Sequence, residues 1–217
     1  MRCSVSSPTK WDEAQEGERA FHCTDDGYRA VRRKFEHQKR QQYAAIMMID
    51  ELSAKGKRVA DLGAGPQSLM LSFAEHLAAG SVAVDPLTFL PEDEAVYAAA
   101  SIERHIGPAE GFVPAAGVLY DEVWIYNCLQ HVQDPAAVCA VAASITRGAV
   151  RIFEYVDVPQ DELHLHTLTA DDLRAAFAGM NCYSHCSGKI VIGNGGAGVS
   201  FYSACFLHRS IDPEHWL

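Results

Sequence analysis

At 217 residues the chain is long enough for one well-buried core and short for two, and 48% hydrophobic with 21% charged residues is the balance of a globular domain rather than a disordered one. A formal net charge of −10 argues against an extended phosphate-binding surface and makes nucleic acid an unlikely partner. No apolar run approaches the ~20 residues of a membrane span, and the polar, acidic first segment lacks the pattern of a secretion leader, so the expected location is the cytoplasm.

Residues 1–26 carry few apolar side chains and no sustained period, which predicts a lid-like N-terminus with a short helix around WDEAQEGERAFH. From Tyr28 to about Ala54, apolar positions such as Val31, Phe35, Tyr43, Met47 and Leu52 recur at three- and four-residue steps. This predicts a long amphipathic helix, broken near its basic middle. The pattern divides the chain into an N-terminal helical segment, 1–55, and a main domain, 56–217. RVADLG reads as a short buried strand, SLMLSFAEHLAAG as a helix ended by Gly80, and SVAVD as a second strand ending at Asp85. Together they predict a βαβ unit with a parallel strand pair. PEDEAVYAAASIERHIG predicts a helix, VLYDEVWIYNCL a strand centred on 123–126, DPAAVCAVAASITRG an alanine-rich helix, and GAVRIFEYVDV another strand. TADDLRAAFAGM follows as a helix with Thr169 as its N-cap. The last apolar stretches are two strands joined by a glycine-rich turn, a terminal hairpin. Strands alternating with helices predict a doubly wound α/β fold with a mostly parallel sheet. The seven cysteines are an odd number, and Cys128, Cys139 and Cys205 sit inside apolar stretches, as reduced thiols used in a core do.

The most informative stretch is VADLGAGPQS, in which a strand meets Asp61 and then Gly63 and Gly65 in a tight, open-backboned turn. Such a turn admits either a dinucleotide or S-adenosylmethionine. A dinucleotide fingerprint asks for a third glycine where Ser68 stands. Asp61 would oppose two phosphates, whereas it suits a ligand that carries an ammonium group and no phosphate. Asp85, at the end of the second strand, can accept both hydroxyls of a ribose, which either ligand supplies.

The ordered set VADLGAGP, VAVDP, PAEGF and YDEVWIYNCLQHVQDP, followed by the hairpin, resembles the class I S-adenosylmethionine-dependent methyltransferases of the small-molecule type. Members of that family look like VLDLGCGPG and, at the fourth strand, FDLVWSNNVLEHVPDP; the likeness runs from about Val59 to Arg209. It implies a seven-stranded sheet whose last-placed strand is antiparallel, and S-adenosylmethionine as cofactor. The cofactor residues it implies are Asp61, Gly63, Ala64, Gly65, Asp85, Pro86, Ala109, Glu110 and Asn127. The chain departs from the family at Ala64, where cysteine is common, at Pro66-Gln67, and at Pro108, where an acidic residue often meets the adenine amine.

His131, just past the fourth strand, is the candidate general base, its alternative role being to pack against the helix start. Tyr155, Asp157, His164 and His166 follow the fifth strand as candidates to line the acceptor site. His164-x-His166 and the Cys182, His185, Cys186 cluster lack further ligands at fixed spacing, so no metal is expected. The basic run from Arg29 to Lys34 with Lys39 and Arg40 is a solvated helix face or a grip on a carboxylate. The expected activity is methyl transfer to an oxygen or nitrogen of a small metabolite or sugar. A nucleic-acid methyltransferase and a non-catalytic partner subunit are the alternatives.

Overall fold

The computed structural model describes residues 9–24, 29–191 and 198–215. Tyr28, the first eight residues and the glycine-rich turn at 192–197 lie outside them. Helix α1 (Lys10–Cys23) opens with a capping box, in which the Thr9 hydroxyl accepts from the Asp12 amide and the Asp12 carboxylate from the Thr9 amide. Helix α2 (Arg29–Ile46) does not break in its basic middle. It ends beyond it, where Met48 turns left-handed (φ 55°), and the short α3 (Glu51–Ala54) restarts on the Asp50 cap.

The sheet holds seven strands: β1 (Val59–Leu62), β2 (Val82–Asp85), β3 (Glu103–Ile106), β4 (Tyr120–Tyr126), β5 (Thr146–Tyr155), β6 (Asn181–Ile190) and β7 (Val199–Leu207). Their order is β3-β2-β1-β4-β5-β7-β6, parallel from β3 to β5 and antiparallel at β5/β7 and β7/β6. The predicted hairpin is therefore present, with β7 inserted between β5 and β6. Helices α4 (Pro91–Ala99), α5 (Pro135–Ile145) and α6 (Ala170–Ala176) complete the layers. Alternation along the strands builds two cores. Val123 and Ile125 of β4 join Val150 and Ile152 of β5 and Val138 and Ala142 of α5 on one face. Trp124 and Tyr126 join Phe153, Tyr155 and, from α2, Tyr43, Ala44 and Met47 on the other.

Two predicted helices differ. The stretch 69–80 is not an α-helix but two 3₁₀ turns, Leu69–Ser72 and Ala74–His76. Its first amides are taken by side chains: the Ser68 amide donates to Tyr97 OH (2.9 Å) and the Leu69 amide to Tyr126 OH (2.7 Å). The helix read through 91–107 stops at Ala99, and its second half, ERHI, is the edge strand β3. Ser101, at φ 56°, makes the break.

The chain runs outward from β1 to β3, then crosses back to β4 beside β1. Ligands of open α/β sheets bind in the crevice at such a reversal, outside the carboxyl ends of the strands. That point is framed here by the loop after β1 and the loop after β4.

Candidate functional site

The glycine turn is shaped first by its own neighbours. Gly63 (φ 76°) and Gly65 (φ 63°) occupy the left-handed region. A Cβ on Gly63 would lie 2.5 Å from the Cys128 Cβ, so this glycine lets the loops after β1 and β4 touch. Asp85 frames the same turn, its carboxylate accepting from the Gly65 amide (2.9 Å) and the Leu87 amide (2.9 Å). Burial pushes its pKa up against these two hydrogen bonds. Asp61 stands one layer behind, fully buried, with Oδ2 accepting from Ser68 Oγ and from Tyr126 OH (2.8 Å). Among the described residues its Oδ1 has no hydrogen-bond partner, and burial raises its pKa to about 6.

A cavity of about 320 Å³ opens in front of this turn, within the range of ~300–1,000 Å³ usual for small-ligand sites. Gly63, Ala64, Gly65, Asp85 and Pro86 line one end, with Ala109, Glu110 and Asn127 beside them. Of the nine residues expected near a cofactor, only Asp61 is absent from this wall. Asn127 reaches it through a left-handed backbone (φ 50°), a conformation asparagine tolerates, while its amide donates to Phe153 O (2.7 Å). The Glu110 carboxylate is tied to the loop after β4, accepting from the amides of Gln133 (2.7 Å) and Asp134 (3.1 Å).

The N-terminal helices supply much of the remaining wall: Trp11, Gln15, Glu18, Phe21 and His22 from α1, and Phe35, Lys39, Arg40 and Tyr43 from α2, with Arg40 reaching the glycine turn itself. His131 and His164 close it from the sheet side, their rings 4.9 Å apart. Tyr155 does not reach the cavity; it lies behind Tyr43, to which it is hydrogen-bonded through the hydroxyls (2.7 Å). His166 is turned away, its Nε2 2.9 Å from Val132 O. His164 and His166 sit in the loop after β5, not on a strand. Cys182 and His185 lie together on β6 with Sγ and Nδ1 4.0 Å apart, far along the sheet from this site.

The basic run of α2 divides. Arg29 and Arg33 form ion pairs with Glu92 and Asp93, bracing α2 onto α4. Arg40 instead is buried at the cavity wall; among the described residues its Nε has no partner and its Nη1 makes a long contact with Gln67 Oε1 (3.5 Å). Sequence reasoning named Arg40 only as one of a run. It missed Glu18, His22 and Tyr43 altogether, because nothing in a local pattern tells which face of a helix meets a distant loop. A larger hollow of about 1030 Å³ between α2, α3 and the 3₁₀ turns carries neither the glycine turn nor Asp85 nor His131.

Among the described residues no helix is long and apolar enough to cross a membrane. No protein-family model matches the sequence, and no curated protein matches it. Solved structures do match. A magnesium protoporphyrin IX methyltransferase from Synechocystis, with bound SAM, is 12% identical, with 96% of this chain and 100% of that chain covered and a TM-score of 0.63. The N-methyltransferase NodS from Bradyrhizobium japonicum, in complex with S-adenosylhomocysteine, is 13% identical over 91% of this chain and 100% of its own, at a TM-score of 0.66. The 1,6-didemethyltoxoflavin-N1-methyltransferase of Burkholderia thailandensis is 15% identical over 96% of this chain and 93% of its own, at a TM-score of 0.67. With so few identities the likeness is one of architecture, and by that architecture the chain has the fold of the class I S-adenosylmethionine-dependent methyltransferases.

Proposed function

We propose that the protein is an S-adenosylmethionine-dependent methyltransferase acting on an oxygen or nitrogen of a small acceptor. The observation that carries this reading is one cavity lined both by the Gly63–Gly65 turn and Asp85 and by His131 and His164. The residues suit the cofactor's charges. Arg40 is a buried cation without a full set of partners, fit for a carboxylate, and Asp61 Oδ1 is an unpartnered buried acceptor behind the turn, fit to attract an ammonium. Asp85 and the backbone of the turn stand where a ribose is held in this fold class. When bound, S-adenosylmethionine supplies an electrophilic methyl group on a sulfonium.

The protein's own tasks are then alignment of the acceptor, exclusion of water and removal of one proton. The N-terminal helices bring Trp11, Phe21, Phe35 and Tyr43 to the cavity wall, flat apolar surfaces that favour a small organic molecule. His131 takes the proton. Of the three structural neighbours named above, two are named for methylation of a small molecule, magnesium protoporphyrin IX and 1,6-didemethyltoxoflavin, which supports a small acceptor for this chain.

Calorimetry tests the cofactor half directly. S-adenosylhomocysteine is expected to bind with micromolar affinity, about −8 kcal/mol, and NAD not to bind measurably. Tight binding of NAD with none of S-adenosylhomocysteine would refute the reading.

A further inference from the structure

The surroundings of His131 fix its chemistry more closely than its place in the motif does. Nδ1 lies 3.1 Å from the Leu163 carbonyl oxygen and 3.1 Å from Glu18 Oε1. Both are acceptors, so the ring proton of the neutral imidazole sits on Nδ1 and the lone pair on Nε2. Nε2 has no hydrogen-bond partner among the described residues. Glu18 comes from α1, and α1 is seated on this loop by more than that one pair. Gln15 Nε2 donates to the His131 carbonyl (3.3 Å), and a Cβ on Gly17 would lie 2.5 Å from Leu163 Cδ2.

We propose that Glu18 is the positioning residue for His131: its carboxylate holds the imidazole through Nδ1 and balances the imidazolium that forms when Nε2 takes the acceptor's proton. The inference rests on the methyltransferase reading. The acceptor's O–H or N–H bond breaks, the proton passes to Nε2 and later to water, and the electron pair left on the acceptor atom would bond to the methyl carbon as the carbon–sulfur bond breaks and its pair returns to sulfur, leaving a neutral thioether. Because Glu18 rides on α1, the base is complete only with that helix docked, and proton removal is thereby coupled to closure of the site.

The charges around His131 agree. Glu18 also pairs with His22 Nε2 (3.2 Å) on its own helix. His164, from the loop after β5, is held by Asp161 Oδ2 (2.8 Å), and Glu154 of β5 lies beneath, taking the amides of Cys128 and Leu129. Glu110 is spent on the Gln133 and Asp134 amides. Burial alone would push the His131 pKa down, but the Glu18 hydrogen bond and charge outweigh it and leave it raised. For Glu18, burial acts upward and is outweighed by the hydrogen bonds from His131 and His22, so its pKa is lowered. Each neutral ring is thereby a stronger proton acceptor, while the share of rings that are neutral falls once the pKa passes the working pH.

The experiment follows the His131 ring by nitrogen NMR through a pH titration of the protein alone, in the wild type, Glu18→Gln and Glu18→Asp. Glutamine keeps an acceptor and removes the charge. The His131 midpoint is expected to fall in E18Q and to recover in part in E18D, with circular dichroism unchanged. Turnover of E18Q at neutral pH should fall by about tenfold or more, with KM for the cofactor unaltered and the acid limb of the rate profile displaced along with the NMR midpoint. A midpoint identical in wild type and E18Q overturns the pairing. A midpoint that moves while the acid limb stays in place overturns the base role. Wild-type protein that shows the midpoint difference yet methylates none of a broad panel of acceptors keeps the pairing and sinks the methyltransferase reading.

Discussion

Gly63 and Gly65 sit in one turn with the same backbone hand, yet their surroundings differ, and the difference is measurable. At Gly63 a methyl group would meet the Cys128 Cβ at 2.5 Å, an atom fixed to its own backbone and unable to swing aside. At Gly65 it would meet only Arg40 Nη2 at 3.3 Å, the far end of a flexible side chain. Both substitutions carry the strain of a left-handed non-glycine residue, of order 1–3 kcal/mol. Gly63→Ala adds a clash between the loops after β1 and β4. Denaturant unfolding should therefore find G63A less stable than G65A, and G65A weaker in S-adenosylhomocysteine binding because it displaces Arg40. The reverse order of stability would mean that the turn relaxes away from Cys128. Asp85 has a double part at this scale. Its carboxylate holds the turn through the Gly65 amide, so replacing it disturbs the glycine loop as well as any ribose contact.

At the scale of elements, the strand ends and the polar residues fixed at them were legible because they follow short-range rules. The buried run VADL leading into the glycine turn follows from its own composition, and Thr169 before ADDL satisfies a local hydrogen-bonding need as the cap of its helix. The segment 69–80 was not legible, since its apolar spacing suits a helix and only the distant hydroxyls of Tyr97 and Tyr126 decide otherwise. The wall that the N-terminal helices add to the cavity failed for the same reason: Glu18 and Tyr43 meet His131 and Tyr155 only after the sheet has formed. The tyrosine account makes a test. Tyr97 is fully buried and its hydroxyl accepts from the Ser68 amide while donating to Gly65 O (2.7 Å). Tyr97→Phe should lose about 1–3 kcal/mol, the cost of leaving buried partners unsatisfied. Amide exchange at Ser68 should quicken by more than the global loss accounts for. Exchange that follows global stability alone would show that the turn is held by its apolar contacts, Leu69 and Met70, and not by the hydroxyl.

For the molecule as a whole, buried carboxylates of opposite tendency set how stability responds to pH. Glu122 lies in the core under Arg151 (Nε to Oε2, 2.9 Å) and Lys57 (2.7 Å); burial pushes its pKa up, and the two cations outweigh this and leave it lowered. Its contribution is present above the ordinary glutamate range and is lost as pH falls through its lowered value. Glu154 is the opposite case. It is fully buried, burial raises its pKa to about 7 against the hydrogen bonds from the Cys128 and Leu129 amides, and Oε2 has no partner among the described residues. A raised carboxylate contributes stability that is complete below its unfolded pKa of 4.5 and is lost as pH rises through about 7. Above that, the folded protein carries a buried charge costing about 3 kcal/mol relative to the neutral acid. Glu154→Gln removes the charge and keeps an acceptor for both amides. Urea unfolding at a series of pH values should find wild type and E154Q equal near pH 4.5, in units where ~1 kcal/mol is resolved, with E154Q gaining steadily up to about pH 8. Acid loss through Glu122 is common to both proteins and cancels in the difference. A difference that does not change with pH would mean that Glu154 ionises in the core as freely as in water. A constant deficit of E154Q at every pH would instead assign the residue's value to its two amide hydrogen bonds, which the glutamine amide had failed to reproduce.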